Sequence, residues 1–117
     1  MFIVAAIFSV LLAVAIVGAG LPKLMANRKS LDIARHVGAS PSLWRIIGGL
    51  ELAAAAGLII GLWVAWLGIL AALGLVLLMA GALFFHQRVN DPPKAMAPPA
   101  SIGVVALLTV ILRTASG

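Results

Sequence analysis

Between Met1 and Leu21 the chain carries no charged side chain, and from Leu52 to Phe85 its only polar side-chain atoms are the indole N–H groups of Trp63 and Trp66. Runs of this length leave few folds open. At about 1.5 Å per residue, the first run is long enough as a helix to cross a hydrocarbon core of about 30 Å. Extended back to Ser42, the second counts 44 residues to Phe85, about 66 Å of continuous helix and therefore two crossings. No positive segment precedes the first run, so it is expected to be a retained span rather than a cleaved signal peptide.

The tryptophans mark where the chain turns back. Trp prefers the membrane interface; Trp44 to Trp63 covers about 28 Å of helix and Trp66 to His86 about 30 Å, which puts a hairpin at Gly61 to Trp66. Ser40 followed by Pro41 is a good cap and first helical residue for the second span. Pro98 and Pro99 open the last apolar run, which is short for a full crossing and relies on Arg113 snorkelling to the interface. The reading is an all-α, four-helix transmembrane bundle in one domain over 1–117, with spans at about 2–21, 42–61, 65–86 and 99–114. The segment "NRKSLDIARHVGASP" between the first two spans is expected to hold a short interfacial helix, with Ser30 as its cap and Gly38 as its stop.

Composition excludes several function classes. Charged residues make up 9% of the chain, against about 25% in soluble domains. No cysteine is present, so disulfides, thiolate metal sites and Cys-X-X-Cys redox chemistry are out. The net charge of +5 lies in segments flanking the apolar runs, where lipid headgroups attract it; membrane lipids are expected partners and nucleic acid is not. Lys23, Arg28, Lys29, Arg35, Arg45, Arg88 and Lys94 fall on one side of the bundle and Arg113 on the other. By the positive-inside rule this places both termini outside the cytoplasmic (inner) membrane and the two long loops in the cytoplasm.

Small residues allow helices to approach in lipid, where apolar burial gives no glue. The second span has them at a spacing of four, at Gly49, Ala53, Gly57 and Gly61, a row expected to pack helices within the subunit or between subunits of a homo-oligomer. Glu51 breaks this apolar pattern about 12 Å into its helix. A carboxylate at such depth costs about 2.5 to 3.5 kcal/mol on insertion scales, so it should face the bundle interior with a partner. Arg45 is about 120° away around the helix and is not an automatic mate. Lys23 at the end of the first span and His86 at the end of the third lie at the same end, and the four residues Glu51, His86, Lys23 and Arg45 are a candidate polar site. An interhelical clamp and a headgroup or proton site both account for it. His36 is expected to be solvated, and two distant histidines without an acidic cluster between them make no metal site.

The segments "GAGLPKLM", "RHVGASPSLWRIIGGLELAAAAGLIIG" and "GALFFHQRVNDPP", with Lys23, Gly48, Glu51, His86 and Arg88 as their most telling residues, resemble the DoxX-like family of small integral membrane proteins. The resemblance implies a four-helix membrane bundle. The family's name comes from a subunit of a thiosulfate:quinone oxidoreductase, and relatives are linked with membrane redox complexes. This chain has no separate redox cofactor motif, so no cofactor is expected, a quinone entering only as a ligand. Three functions follow in order: a non-enzymatic accessory subunit or scaffold of a larger membrane complex; a binder of a quinone or other lipophilic small molecule; and a proton-coupled transporter.

Overall fold

The computed structural model describes residues 2–115 and, among them, five helices and no strand. They are α1 (Phe2–Met25), α2 (Arg28–Val37), α3 (Pro41–Ile60), α4 (Ala65–Arg88) and α5 (Pro93–Ala115). Helix is forced where lipid offers no hydrogen bonds, because it satisfies each segment's backbone internally. Four of the five, all but α2, are long and apolar enough to cross a membrane. The longest dimension, 41 Å, matches a bilayer with its headgroups, about 40–45 Å. Large apolar side chains such as Ile3, Leu77 and Trp63 stand exposed around the outside, a surface suited to lipid rather than to water.

The spans form a ring in which α1 packs along α3, α3 against α4, α4 along α5, and α5 closes more sparsely on α1. Leu12 and Ile16 of α1, Leu58 of α3, Leu75 and Met79 of α4 and Ala106 of α5 fill its interior. Two hydroxyls buried within the spans are satisfied along their own helices: Ser9 donates to Ala5 O and Thr109 to Val105 O, both at 2.8 Å.

Two glycine contacts fix the helix crossings. A Cβ on Gly48 would lie 2.7 Å from Gly20 O and 2.6 Å from Leu24 N, so α1 and α3 touch backbone to backbone there. At the other end Gly61 meets Gly68 at the α3–α4 hairpin, and a Cβ on Gly57 would come within 2.9 Å of Ala71 Cβ. The expected row of small residues is therefore split. Gly57 and Gly61 pack on α4, Ala53 is exposed, and Gly49 has only Leu24 Cδ1, 3.9 Å from an added Cβ.

Ser40 caps α3 as expected, its Oγ accepting from Leu43 N at 3.1 Å, with Pro41 as the first helical residue. The cap of α2 is Asn27 rather than Ser30, because the Asn27 side chain already accepts from Ser30 N at 2.8 Å. Gly38 ends α2 in the left-handed conformation, φ 81°, which L-residues avoid. The last helix begins at Pro93, so Pro98 and Pro99 lie inside it rather than opening it. Arg113 is buried at the α3–α4 turn: its Nη2 donates to Gly61 O at 3.2 Å, and it lies 5.0 Å from the Phe2 ring centroid. The carbonyl end of α3 carries partial negative charge, which favours a cation at that point.

Candidate functional site

Helix α2 closes one end of the ring. Its Ala34 and Val37 pack with Ala39 and Trp44 against Phe85 of α4, and Arg88 donates from Nη2 to Val37 O at 3.1 Å while stacking 4.9 Å from the Phe85 ring. Below this cover lies a cavity of about 540 Å³, walled by Ala19 of α1, Ile47 of α3, Leu78 and Met79 of α4 and Ile102 of α5. Its lining is mainly apolar, with Lys23, Ser30, Trp44, Glu51 and His86 among its few polar groups.

Glu51 is fully buried, and Lys23 Nζ donates to its Oε1 at 2.7 Å. The close crossing at Gly20 and Gly48 brings the two together: an added Cβ on Gly20 would meet Glu51 Cβ at 2.9 Å, and one on Gly48 would meet Lys23 Cβ at 2.8 Å. The Lys23 ammonium also sits 5.0 Å above the Trp44 ring, a favourable cation–π arrangement. Trp44 in turn donates from Nε1 to Ser30 Oγ at 2.6 Å. The second carboxylate oxygen, Oε2, is buried with no hydrogen-bond partner. An unsatisfied buried acceptor costs about 1–3 kcal/mol, more when charged, and such groups call for a specific explanation.

His86 lines the same cavity but bonds away from Glu51. Its Nδ1 lies 2.5 Å from Asp91 Oδ2, while His36 of α2 places Nε2 2.6 Å from Asp91 Oδ1. Local backbone geometry creates this junction. Asn90 follows α4 with φ 56°, a left-handed conformation that Asn tolerates, and Asp91 N then donates back to His86 O at 3.0 Å. The hydrogen bonds from His86, and next those from His36, hold the Asp91 carboxyl below the ordinary aspartate value. A carboxylate only accepts, so both facing nitrogens are N–H donors and neutral His86 keeps a lone pair on Nε2.

The structure thus joins Lys23 to Glu51 and puts His86 in the wall of their cavity. Arg45 stands apart, exposed at the start of α3 and absent from the cavity lining. Asp91 is the residue that the sequence reading missed; the Asn90-Asp91 pair just past α4, whose last turn carries His86, was the available signal. His36 is exposed as expected but also engaged. Among the described residues no group of three or more His, Cys, Asp or Glu is placed to hold a metal ion.

No curated protein and no solved structure matches the chain. A family model described as the DoxX-like family matches residues 7–110, and together with four helices able to cross a bilayer it makes this a small multi-pass integral membrane protein. The chain belongs to the DoxX-like family.

Proposed function

We propose that this protein binds a lipophilic small molecule of the quinone class in the cavity beneath α2, through a headgroup that carries a hydroxyl. The observation that carries this reading is Glu51 Oε2, a buried acceptor without a partner in a mainly apolar cavity. An acceptor of that kind selects a donor, so the quinol or hydroxylated form of a ring fits better than one with carbonyl oxygens alone. Nε2 of His86 offers a second acceptor and Lys23 a donor, while the apolar walls suit the remainder of such a molecule. A clamp would need Lys23 and one carboxylate oxygen; it has no use for the open one.

Trp44 gives a direct readout, because Trp63 in the turn and Trp66 at the start of α4 lie at the opposite end of α3. In a Trp63→Phe/Trp66→Phe background, titration with a 2-hydroxy-3-alkyl-1,4-naphthoquinone in mild detergent should quench Trp44 saturably, beyond the effect of empty micelles. Glu51→Gln should unfold like its parent and lose that saturable quenching. A glutamine variant that is folded and binds equally well refutes the carboxylate's role.

A second reading, an accessory subunit of a larger membrane complex, is favoured by Arg28, Lys29, Arg45 and Lys94. All four are exposed at the α2 end and none is paired with another described residue. The two roles are compatible, and loop charge bias argues that this end faces the cytoplasm. Arg28→Glu/Lys94→Glu, at two exposed residues outside the cavity lining, should release a co-purifying protein partner without weakening the naphthoquinone titration.

A further inference from the structure

The junction at Asp91 contains more than fastening the α4–α5 turn requires. The turn is already held by the Asp91 N to His86 O bond, and one histidine would suffice as a side-chain pin. Two are present instead, one on each carboxylate oxygen, and they differ in where they lie. The His36 side chain is 58% exposed, Asp91 is 9% exposed, and His86 at 22% belongs to the cavity wall. The three side chains form an unbroken hydrogen-bonded line from the surface of α2 to the chamber that holds Glu51.

The remaining charges around this line have other engagements or none with it. On α2, Arg35 pairs with Asp32 at 3.2 Å. On α4, Arg88 is held by Val37 O and Phe85, and on α5 Lys94 is exposed. Among the described residues no other cation is bonded to Asp91.

We infer that His86, Asp91 and His36 form a proton path between the cavity and the exposed surface, serving a ligand whose headgroup hydroxyl ionises in the site. The inference rests on the ligand-binding reading above. Each step moves one proton and no electron. The ligand O–H gives its proton to Nε2 of His86, whose Nδ1 proton passes to Oδ2 of Asp91. His36, exposed to water, exchanges its resting Nε2–H form for the tautomer bearing hydrogen on Nδ1; the neutral carboxyl then turns its O–H to the freed Nε2, and the Nδ1 hydrogen leaves to water. The ligand is left as the oxyanion beside Lys23, and uptake is the reverse. Histidine suits both ends because its ring can take a proton on one nitrogen while giving one up from the other.

The same alkyl hydroxynaphthoquinone tests this, since its absorption differs between the neutral and ionised forms. After a pH jump in stopped flow, the bound probe should ionise at least ten-fold more slowly in Asp91→Asn and in His36→Gln than in the parent, with saturable Trp44 quenching retained. His36→Gln changes one exposed side chain and keeps a donor for Asp91, so it carries the test should Asp91→Asn fail to fold. Added imidazole should restore the rate in His36→Gln, which a purely structural histidine would not allow. Bound probe with unchanged rates overturns the path alone, as does slowing in His36→Gln that imidazole leaves untouched. Failure of the parent to bind the probe overturns the ligand site and the path with it.

Discussion

Gly48 and Gly49 are adjacent on α3, and replacing each with alanine should move stability in opposite directions. A methyl group on Gly48 would lie 2.6 Å from Leu24 N and 2.7 Å from Gly20 O. Both are backbone atoms, so no side-chain rotation relieves the overlap and α1 must shift along its length. Forcing a methyl into a filled contact costs about 1–3 kcal/mol. On Gly49 the nearest atom is Leu24 Cδ1 at 3.9 Å, an ordinary contact. Exchanging a helical glycine for alanine brings up to about 1 kcal/mol of helix preference, and that gain is common to both variants. It cancels in their difference, leaving Gly48→Ala about 1–3 kcal/mol less stable than Gly49→Ala. Reversible unfolding in mixed detergent micelles, followed by circular dichroism, measures the gap. Because the Gly48 methyl would also meet Lys23 Cβ at 2.8 Å, naphthoquinone binding should fall in that variant alone. Equal stability of the two alanine variants would refute the close crossing and the account of how Lys23 reaches Glu51.

Three further perturbations test other parts of the molecule. Lys23→Met strands a fully buried carboxylate and should cost about 3–5 kcal/mol; adding Glu51→Gln should recover part of that loss, and a double variant no more stable than the single would contradict the pairing. Asp91 is held below its ordinary value, so its stabilising contribution is complete above that value and vanishes as pH falls through the lowered folded one. Asp91→Asn should therefore be less stable than the parent at neutral pH, with the gap closing below about pH 3.8; a gap constant across an acid titration of unfolding would exclude the two histidine bonds as its source. Gly38→Ala meets both a left-handed backbone and Arg88 Nη2 at 2.8 Å and should lose about 1–2 kcal/mol, whereas a neutral result by thermal unfolding would mean that α2 ends differently.

What could be read in the sequence was whatever depends on local chemistry. Long apolar runs gave the spans, Ser40 and Pro41 the start of α3, and the tryptophan spacing the α3–α4 turn. The depth of Glu51 demanded a partner, and Lys23 and His86 were the candidates at the matching height, of which the structure joins Lys23 to it. Properties that depend on helix rotation were harder to read. Residues four apart advance about 400°, so the row from Gly49 to Gly61 drifts about 40° per step and about 120° overall. Only its last members face α4, while Gly48, one residue outside the row, makes the crossing with α1. Arg45 fell outside the site by the same rotation that separated it from Glu51. Asp91 required knowledge of how the chain turns after α4, which a left-handed Asn90 decides and no periodicity announces.

The cavity lies at the end of the bundle where the basic loops gather, and this has a consequence for protein engineering. Lys23 is at once the ion-pair partner of Glu51 and part of the charge bias by which an inserting chain is sorted across a bilayer. Lys29, in the lining beneath α2, likewise belongs both to the cavity wall and to that bias. Altering either for its chemistry also lightens the bias, so a library of site variants can acquire members that insert in both senses. A dual-topology population would present its cavities to two compartments, and the resulting partial loss in a cell-based assay would imitate a weakened site. Insertion sense therefore needs scoring before any change in binding at this end is ascribed to the pocket itself.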